Sequence, residues 1–208
     1  MISLRALPTR LATGLALSVF ALGAISCDSS TSPRNGELTL LLTDAPGDVV
    51  SAVVTIDRIY MQPSEAGDNG RVVLLEDDVT TDLLTLVGTT QELFADALLP
   101  VGGYSQLRFV ISGAYIEVEQ ADGSTLIYAS SPDYAGLPEG ATVAGELQMP
   151  SLAQSGLKVK LPGDVVVIDE EVPLTLVVDF DVAQSFGQLA GGSGRWVMNP
   201  VITAARPE

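Results

Sequence analysis

Histidine is absent from all 208 residues. Its absence removes the commonest general base and the commonest metal imidazole, and with them every Ser-His-Asp arrangement. Cysteine occurs once, at Cys27, so no internal disulfide and no zinc site built from Cys and His is available. Bases are scarce: 10 Lys and Arg stand against 26 Asp and Glu, a net charge of −16. A chain this acidic repels phosphate backbones, which argues against nucleic acid as a partner. Long apolar runs are also missing. Leu11 to Ile25 spans about fifteen residues, short of the roughly twenty needed to cross a hydrocarbon layer of about 30 Å.

That short run has the layout of a signal peptide, because Arg5 and Arg10 precede the apolar stretch. It ends at Ala24-Ile25-Ser26-Cys27, which resembles the lipobox cut just before an acylated cysteine. The expected organisation is a lipoprotein signal peptide over 1–26, a lipidated Cys27 with a flexible tether over 27–36, and one domain over 37–205. Cleavage removes Arg5 and Arg10, and the eight remaining bases against 26 acids leave −18. One acyl chain binds membranes marginally and two or more bind stably, so an acylated Cys27 would be the membrane partner. The expected location is a bacterial envelope, on the periplasmic or the cell-surface side. About 180 residues bury roughly 70% of their unfolded surface in one core, so folding needs neither disulfide nor metal.

From Glu37 the dominant period is two, the mark of half-buried strands. Leu38, Leu40 and Leu42 alternate with Glu37, Thr39 and Thr43, and Val50, Ala52, Val54 and Ile56 repeat the pattern. The apolar phase then slips to Ile59 and Met61, which predicts a bulge near Asp57 and Arg58. Asn69-Gly70 and Asp122-Gly123 are tight-turn signals. Asp82 is placed to start a short helical turn over Leu83 to Leu86, and Thr89 with Glu92 has the spacing of a second helix cap before Leu93 and Phe94. Tyr104 to Ser112 and Tyr115 to Gln120 read as two strands. Residues 130 to 155, rich in Ser, Pro, Gly and Ala, read as a long loop. Leu157 to Leu161 and Leu174 to Phe180 alternate again. Pro200 places the final strand, Trp196 to Ala204, at an edge or interrupts it. Nine or ten short strands without a sheet-covering helix predict an all-β fold: an antiparallel β-sandwich, immunoglobulin- or transthyretin-like, with one or two short helical turns.

The segments LTLLLTDAPGD (38–48), VVTIDRIYM (53–61), LLPVGGYSQLRFVIS (98–112), PSLAQSGLKV (150–159), LTLVVDFDVAQSF (174–186) and WVMNPVI (196–202) together resemble the DUF4382 family of exported bacterial proteins. The resemblance spans nearly all of residues 37 to 204 and implies a family identity without implying an activity. LPVGGYSQLRF is also similar to the strand opening of transthyretin-like sandwiches.

Three constellations bear on chemistry. Ser155 and Lys158 have the Ser-x-x-Lys spacing of penicillin-recognising enzymes, which needs a helix to bring the two together; on a strand, positions three apart face opposite ways. Asp179 and Asp181 are two apart on a strand and share a face about 7 Å apart. With Asp44 and Asp48 from a neighbouring loop they are either solvated surface or a site for a hard cation such as calcium. Tyr104, Tyr134 and Trp196 are either strand packing or ligand-contacting aromatics for a glycan. The leading expectation is a non-enzymatic binding or structural module with no catalytic residues and no obligatory cofactor, its glycan or protein partner unspecified. The alternatives are a calcium-dependent glycan-binding or adhesion module and, last, a hydrolase working with carboxylates alone.

Overall fold

A computed structural model describes residues 34–45, 49–65, 70–149, 155–188 and 195–207. The Cys27 lipobox, most of the tether, Asp48 and the Asn69 half of the first turn lie outside the described residues. Among the described residues fourteen strands form two sheets. The smaller contains β1 (Asn35–Ala45), β5 (Gln91–Pro100), β11 (Leu174–Asp181) and β14 (Val201–Ala205), in the order β14-β11-β1-β5. The larger runs through β12 (Phe186–Gln188), β13 (Trp196–Met198), β8 (Val143–Gln148), β7 (Thr125–Ala129), β6 (Gly102–Glu119), β2 (Ser51–Pro63) and β3 (Val72–Leu75). The short strands β9 (Leu157–Val159) and β10 (Val166–Ile168) pair with β6, and β4 (Val79–Asp82) pairs with β2.

The alternation predicted for half-buried strands is what builds the core. Leu38, Leu40 and Leu42 from β1 join Leu176, Val178 and Phe180 from β11 on one side. Val54, Ile56, Ile59, Met61, Leu107, Phe109 and Ile111 come from β2 and β6 on the other, in one continuous buried cluster. The all-β sandwich expectation holds, with the correction that the sheets are mixed. β1 runs parallel to β11, and β8 runs parallel to both β7 and β13. Parallel neighbours require long crossovers, and here more than a hundred residues separate β1 from β11.

The predicted bulge is present. β2 pairs with β6 in register from Ser51↔Glu117 to Thr55↔Gly113, shifts to Ile56↔Ile111, and shifts back at Arg58↔Val110. Asp57 is the extra residue on β2 and Ser112 the extra residue on β6. The two insertions cancel, so Met61 meets Leu107 as far from one end as from the other. This corrects the division of 104–120 into two strands: β6 is one strand of 18 residues. Its inward set slips from Leu107, Phe109 and Ile111 to Ala114 and Ile116 at the bulge.

Three further corrections follow from pairing. The helix capped by Thr89 does not form. The Thr89 carbonyl accepts from Thr43 Oγ1 at 2.7 Å, and the chain continues as β5, which covers the edge of β1. A helix there would leave that row of backbone groups unpaired. The turn at Asp82 does form: a 3-10 helix spans Leu83–Leu86, with Asp82 Oδ1 accepting from Leu84 N at 3.1 Å. Residues 130–155 are not all loop, since they carry β8. The tether is shorter than expected, because Asn35 and Gly36 already pair with Pro100 and Leu99, and a Cβ on Gly36 would lie 2.1 Å from the Asp169 carbonyl oxygen.

The final strand is two. Pro200 interrupts it, so β13 belongs to the larger sheet and β14 is an edge of the smaller one. β11 and β12 make the same crossing through one helical turn, Val182–Ser185. Ser185 holds the two crossings together. Its hydroxyl donates to the Asp181 carbonyl and accepts from Val201 N at 2.9 Å, while its own carbonyl accepts from Asn199 N at 2.8 Å. Ser185 is fully buried. Ser185→Ala is therefore expected to cost about 1 kcal/mol by removing the part-buried bond from the Val201 amide, seen as a lower urea midpoint with an unchanged slope.

Candidate functional site

Of the predicted carboxylates, the three among the described residues, Asp44, Asp179 and Asp181, do not converge. Asp179 and Asp181 share the outward side of β11, whose inward side is Leu174, Leu176, Val178 and Phe180. Asp44 pairs with Phe180 and Thr43 pairs with Asp179, so Asp44 faces the core side of the sheet, opposite to both aspartates. It is buried and its Oδ1 accepts from Val182 N at 3.1 Å, an anchor for the helical turn. Asp181 caps the same turn by accepting from Gln184 N at 3.0 Å. Among the described residues no group of three His, Cys, Asp or Glu side chains is arranged to hold a metal ion.

Asp179 is the perturbed member. Its Oδ1 is buried without a hydrogen-bond partner, and burial, with a smaller contribution from Asp181, raises its pKa above 3.8.

The predicted aromatics are likewise dispersed. Tyr104 is turned inward at 2% exposure, and its hydroxyl donates to the Pro100 carbonyl at 2.9 Å. Burial raises its pKa. It lies beside a shallow pocket of about 340 Å³ bordered by Pro63, Ser64, Pro100 and Gly103. Trp196 packs against the main core, its ring 5.8 Å from that of Tyr128. Tyr134 belongs to neither place. It comes from the 130–142 segment and lies on the outer face of the larger sheet, in a small separate cluster with Val53, Tyr115 and Ala129. Its hydroxyl is 2.6 Å from Thr55 Oγ1, which is 2.7 Å from Thr80 Oγ1. Gly113 makes this possible, since a Cβ there would fall 2.3 Å from the ring. The long segment is thus a cover pinned over one half of the sheet.

The Ser155 and Lys158 pair has no helix to unite it. Leu157 and Val159 point inward and Lys158 outward, while the Ser155 carbonyl accepts from Tyr60 Oη at 3.1 Å and Arg108 Nη1 at 3.0 Å.

The other half of that outer face, past the bulges, is the surface that sequence reading missed. Arg108 on β6 sits opposite Tyr60 of β2 on one side and Lys158 of β9 on the other. Arg71 extends over the Tyr60 ring, its Cζ 5.1 Å from the centroid, a cation–π contact. Lys160 follows Lys158 on the same side, and Gln62 pairs with Gln106 in the adjoining row. A cleft of about 530 Å³ opens beside Ser105, Gln106, Lys158 and Lys160, with Asp164 on its rim. Arg108 is held rigidly: Nε donates to Gln106 Oε1 at 3.0 Å and Nη1 to the Ser155 and Gly156 carbonyls. One sequence signal was available. Lys158 and Lys160 are the only lysines in the chain, two apart on an alternating strand.

With this geometry in place, comparison with known families is informative. The family model described as "Domain of unknown function (DUF4382)" matches residues 35–200. The chain belongs to the DUF4382 family. Neither the curated proteins nor the solved structures include a match. The DUF4382 match begins where β1 begins and runs to Pro200, where the chain passes from the larger sheet to β14.

Two outcomes are expected. Gly113→Ala pushes Tyr134 off the sheet, so limited proteolysis within 131–141 should accelerate and the melting temperature should fall, whereas Gly123→Ala in the exposed hairpin leaves 131–141 protected. For Asp179, the folded state holds the proton more tightly than the unfolded chain. That stabilisation is complete below pH 3.8 and is lost as pH rises through the folded value. Asp179→Asn should therefore raise the melting temperature at neutral pH, with a benefit that vanishes below pH 3.8.

Proposed function

We propose that this protein is an envelope lipoprotein that carries its DUF4382 domain on an acylated Cys27 and acts as a non-enzymatic binding or structural module. The observation that carries the reading is the position of the sole cysteine, at the end of the Leu11–Ile25 apolar run and just before the first strand at Asn35. Among the described residues no helix is long and apolar enough to cross a membrane, so acylation is the attachment the sequence supports. The seven residues between Cys27 and β1 span at most about 25 Å, which keeps the domain close to the bilayer. The non-enzymatic part is supported by the lack of histidine and by the separation of Asp44 from Asp179 and Asp181 across the sheet. An exposed rigid sheet face bearing fixed polar side chains suits recognition.

Metabolic labelling with radioactive palmitate is expected to mark the wild-type chain and not Cys27→Ser. Detergent phase partitioning should move the wild type into the detergent phase. A label that persists in Cys27→Ser, or an intact wild-type chain in the aqueous phase, overturns the anchor.

A further inference from the structure

Where acids outnumber bases 26 to 10, an ordered base without a carboxylate partner needs a reason. Arg34, Arg58 and Arg195 have one each, in Glu170, Asp57 and Glu146 at 3.8–3.9 Å. Among the described residues Arg71, Arg108, Lys158, Lys160 and Arg206 have none within 4.0 Å; Arg206 follows β14 near the C-terminal end, and the other four meet on the outer face of β2, β6 and β9, Arg71 by lying over the Tyr60 ring.

Stability does not explain the cluster. Arg108 and Lys158 are directly paired across neighbouring strands, and like charges in that position destabilise a sheet. Arg108 is nonetheless fixed by three hydrogen bonds that engage Nε and Nη1 and leave Nη2 without a protein acceptor. A rigid donor in a destabilising place is the arrangement expected of a binding residue, because ordering costs have been met before the ligand arrives.

The spacing describes the ligand. Neighbouring strands lie about 4.8 Å apart, so the row from Arg71 over Tyr60 through Arg108 to Lys158 extends about 14 Å, and Lys160 is about 7 Å further along β9. A chain of sugar rings has a repeat comparable to the strand spacing, and Ser105, Gln62 and Gln106 provide amide and hydroxyl partners for its hydroxyl groups. The remaining surface is strongly acidic, which disfavours polyanions as densely charged as DNA and leaves this face for more widely spaced charges.

We propose that this face binds a linear polysaccharide bearing carboxylates at regular intervals, laid across β3, β2, β6 and β9 with Arg108, Lys158 and Lys160 on its carboxylates. The inference rests on reading the domain as a binding module and is independent of the Cys27 anchor.

The test is calorimetric titration of the full chain in neutral detergent micelles with polygalacturonate and with alginate, against dextran, duplex DNA and micelles doped with phosphatidylglycerol. Saturable, salt-sensitive binding of at least one uronate polymer is expected, with dextran inert. The Lys158→Gln/Lys160→Gln pair should weaken it about tenfold while the melting temperature stays level or rises, since a like-charge contact has been removed. Lys160→Gln alone should give a smaller loss, and provides the reading if the double variant folds poorly. No binding of either uronate polymer overturns the proposal, as does tighter binding to DNA or to the anionic micelles. Uronate binding that survives in the lysine variants also overturns it, while leaving the binding-module reading intact and the site elsewhere.

Discussion

The larger sheet is laid out from one antiparallel pair, β2 with β6, and from the two inserted residues that break and restore its register. Because side chains alternate with a period of two, a one-residue slip exchanges the buried and exposed sets of a strand. Asp57 makes that exchange on β2, and Ser112 makes it on β6. Without the first, Arg58 and Tyr60 would point into the core and Ile59 and Met61 would face water. With both, the inward positions remain apolar along the whole pair, and the outer face divides at the bulges into two halves of different character.

One half is sealed by the chain itself. Gly113 leaves room for the Tyr134 ring, the Thr55 hydroxyl, itself bonded to that of Thr80, meets its phenol, and Val53, Tyr115 and Ala129 form a small apolar patch beneath. The other half leaves Arg71, Lys158 and Lys160 exposed and Arg108 half-buried, with backbone carbonyls from Ser155 and Gly156 setting the Arg108 guanidinium in place. Anchoring a guanidinium with neutral carbonyls preserves its charge, whereas a carboxylate would cancel it. The smaller sheet shows the opposite case, where Asp179 Oδ1 is buried without a donor and that burial raises the pKa of the carboxyl.

The two sheets are joined where the chain changes layer. β11 to β12 and β13 to β14 cross side by side, tied through Ser185, and the Lys160 amide and carbonyl both bond to β14, linking the β9 side of the larger sheet to the edge of the smaller. The central strand of the smaller sheet, β1, finds its parallel partner β11 only after most of the domain has been made. Closing so long a loop before any pairing is gained is the condition under which folding is slow.

Residue order alone determined that the β1, β2, β7, β9 and β11 segments became strands, where Asp122-Gly123 turned the chain, that Asp82 would cap a short turn, and that the phase slips at Asp57. All of these depend on neighbours within a few positions. The outcomes that sequence did not determine depend on residues far apart. Thr89 lost its helix because β1 needed a partner along its edge, 104–120 remained one strand because Ser112 was absorbed as a bulge opposite β2, and Pro200 sent one alternating run into two sheets. The same holds for the site. Asp44 and Asp179 share a sequence character but are placed on opposite faces by a parallel register, while Arg108 and Lys158, fifty residues apart in sequence, are brought side by side by strand pairing, and Arg71 reaches them over the Tyr60 ring. Local periodicity fixes which way a side chain points on its own strand, and only long-range register fixes which side chains point the same way together.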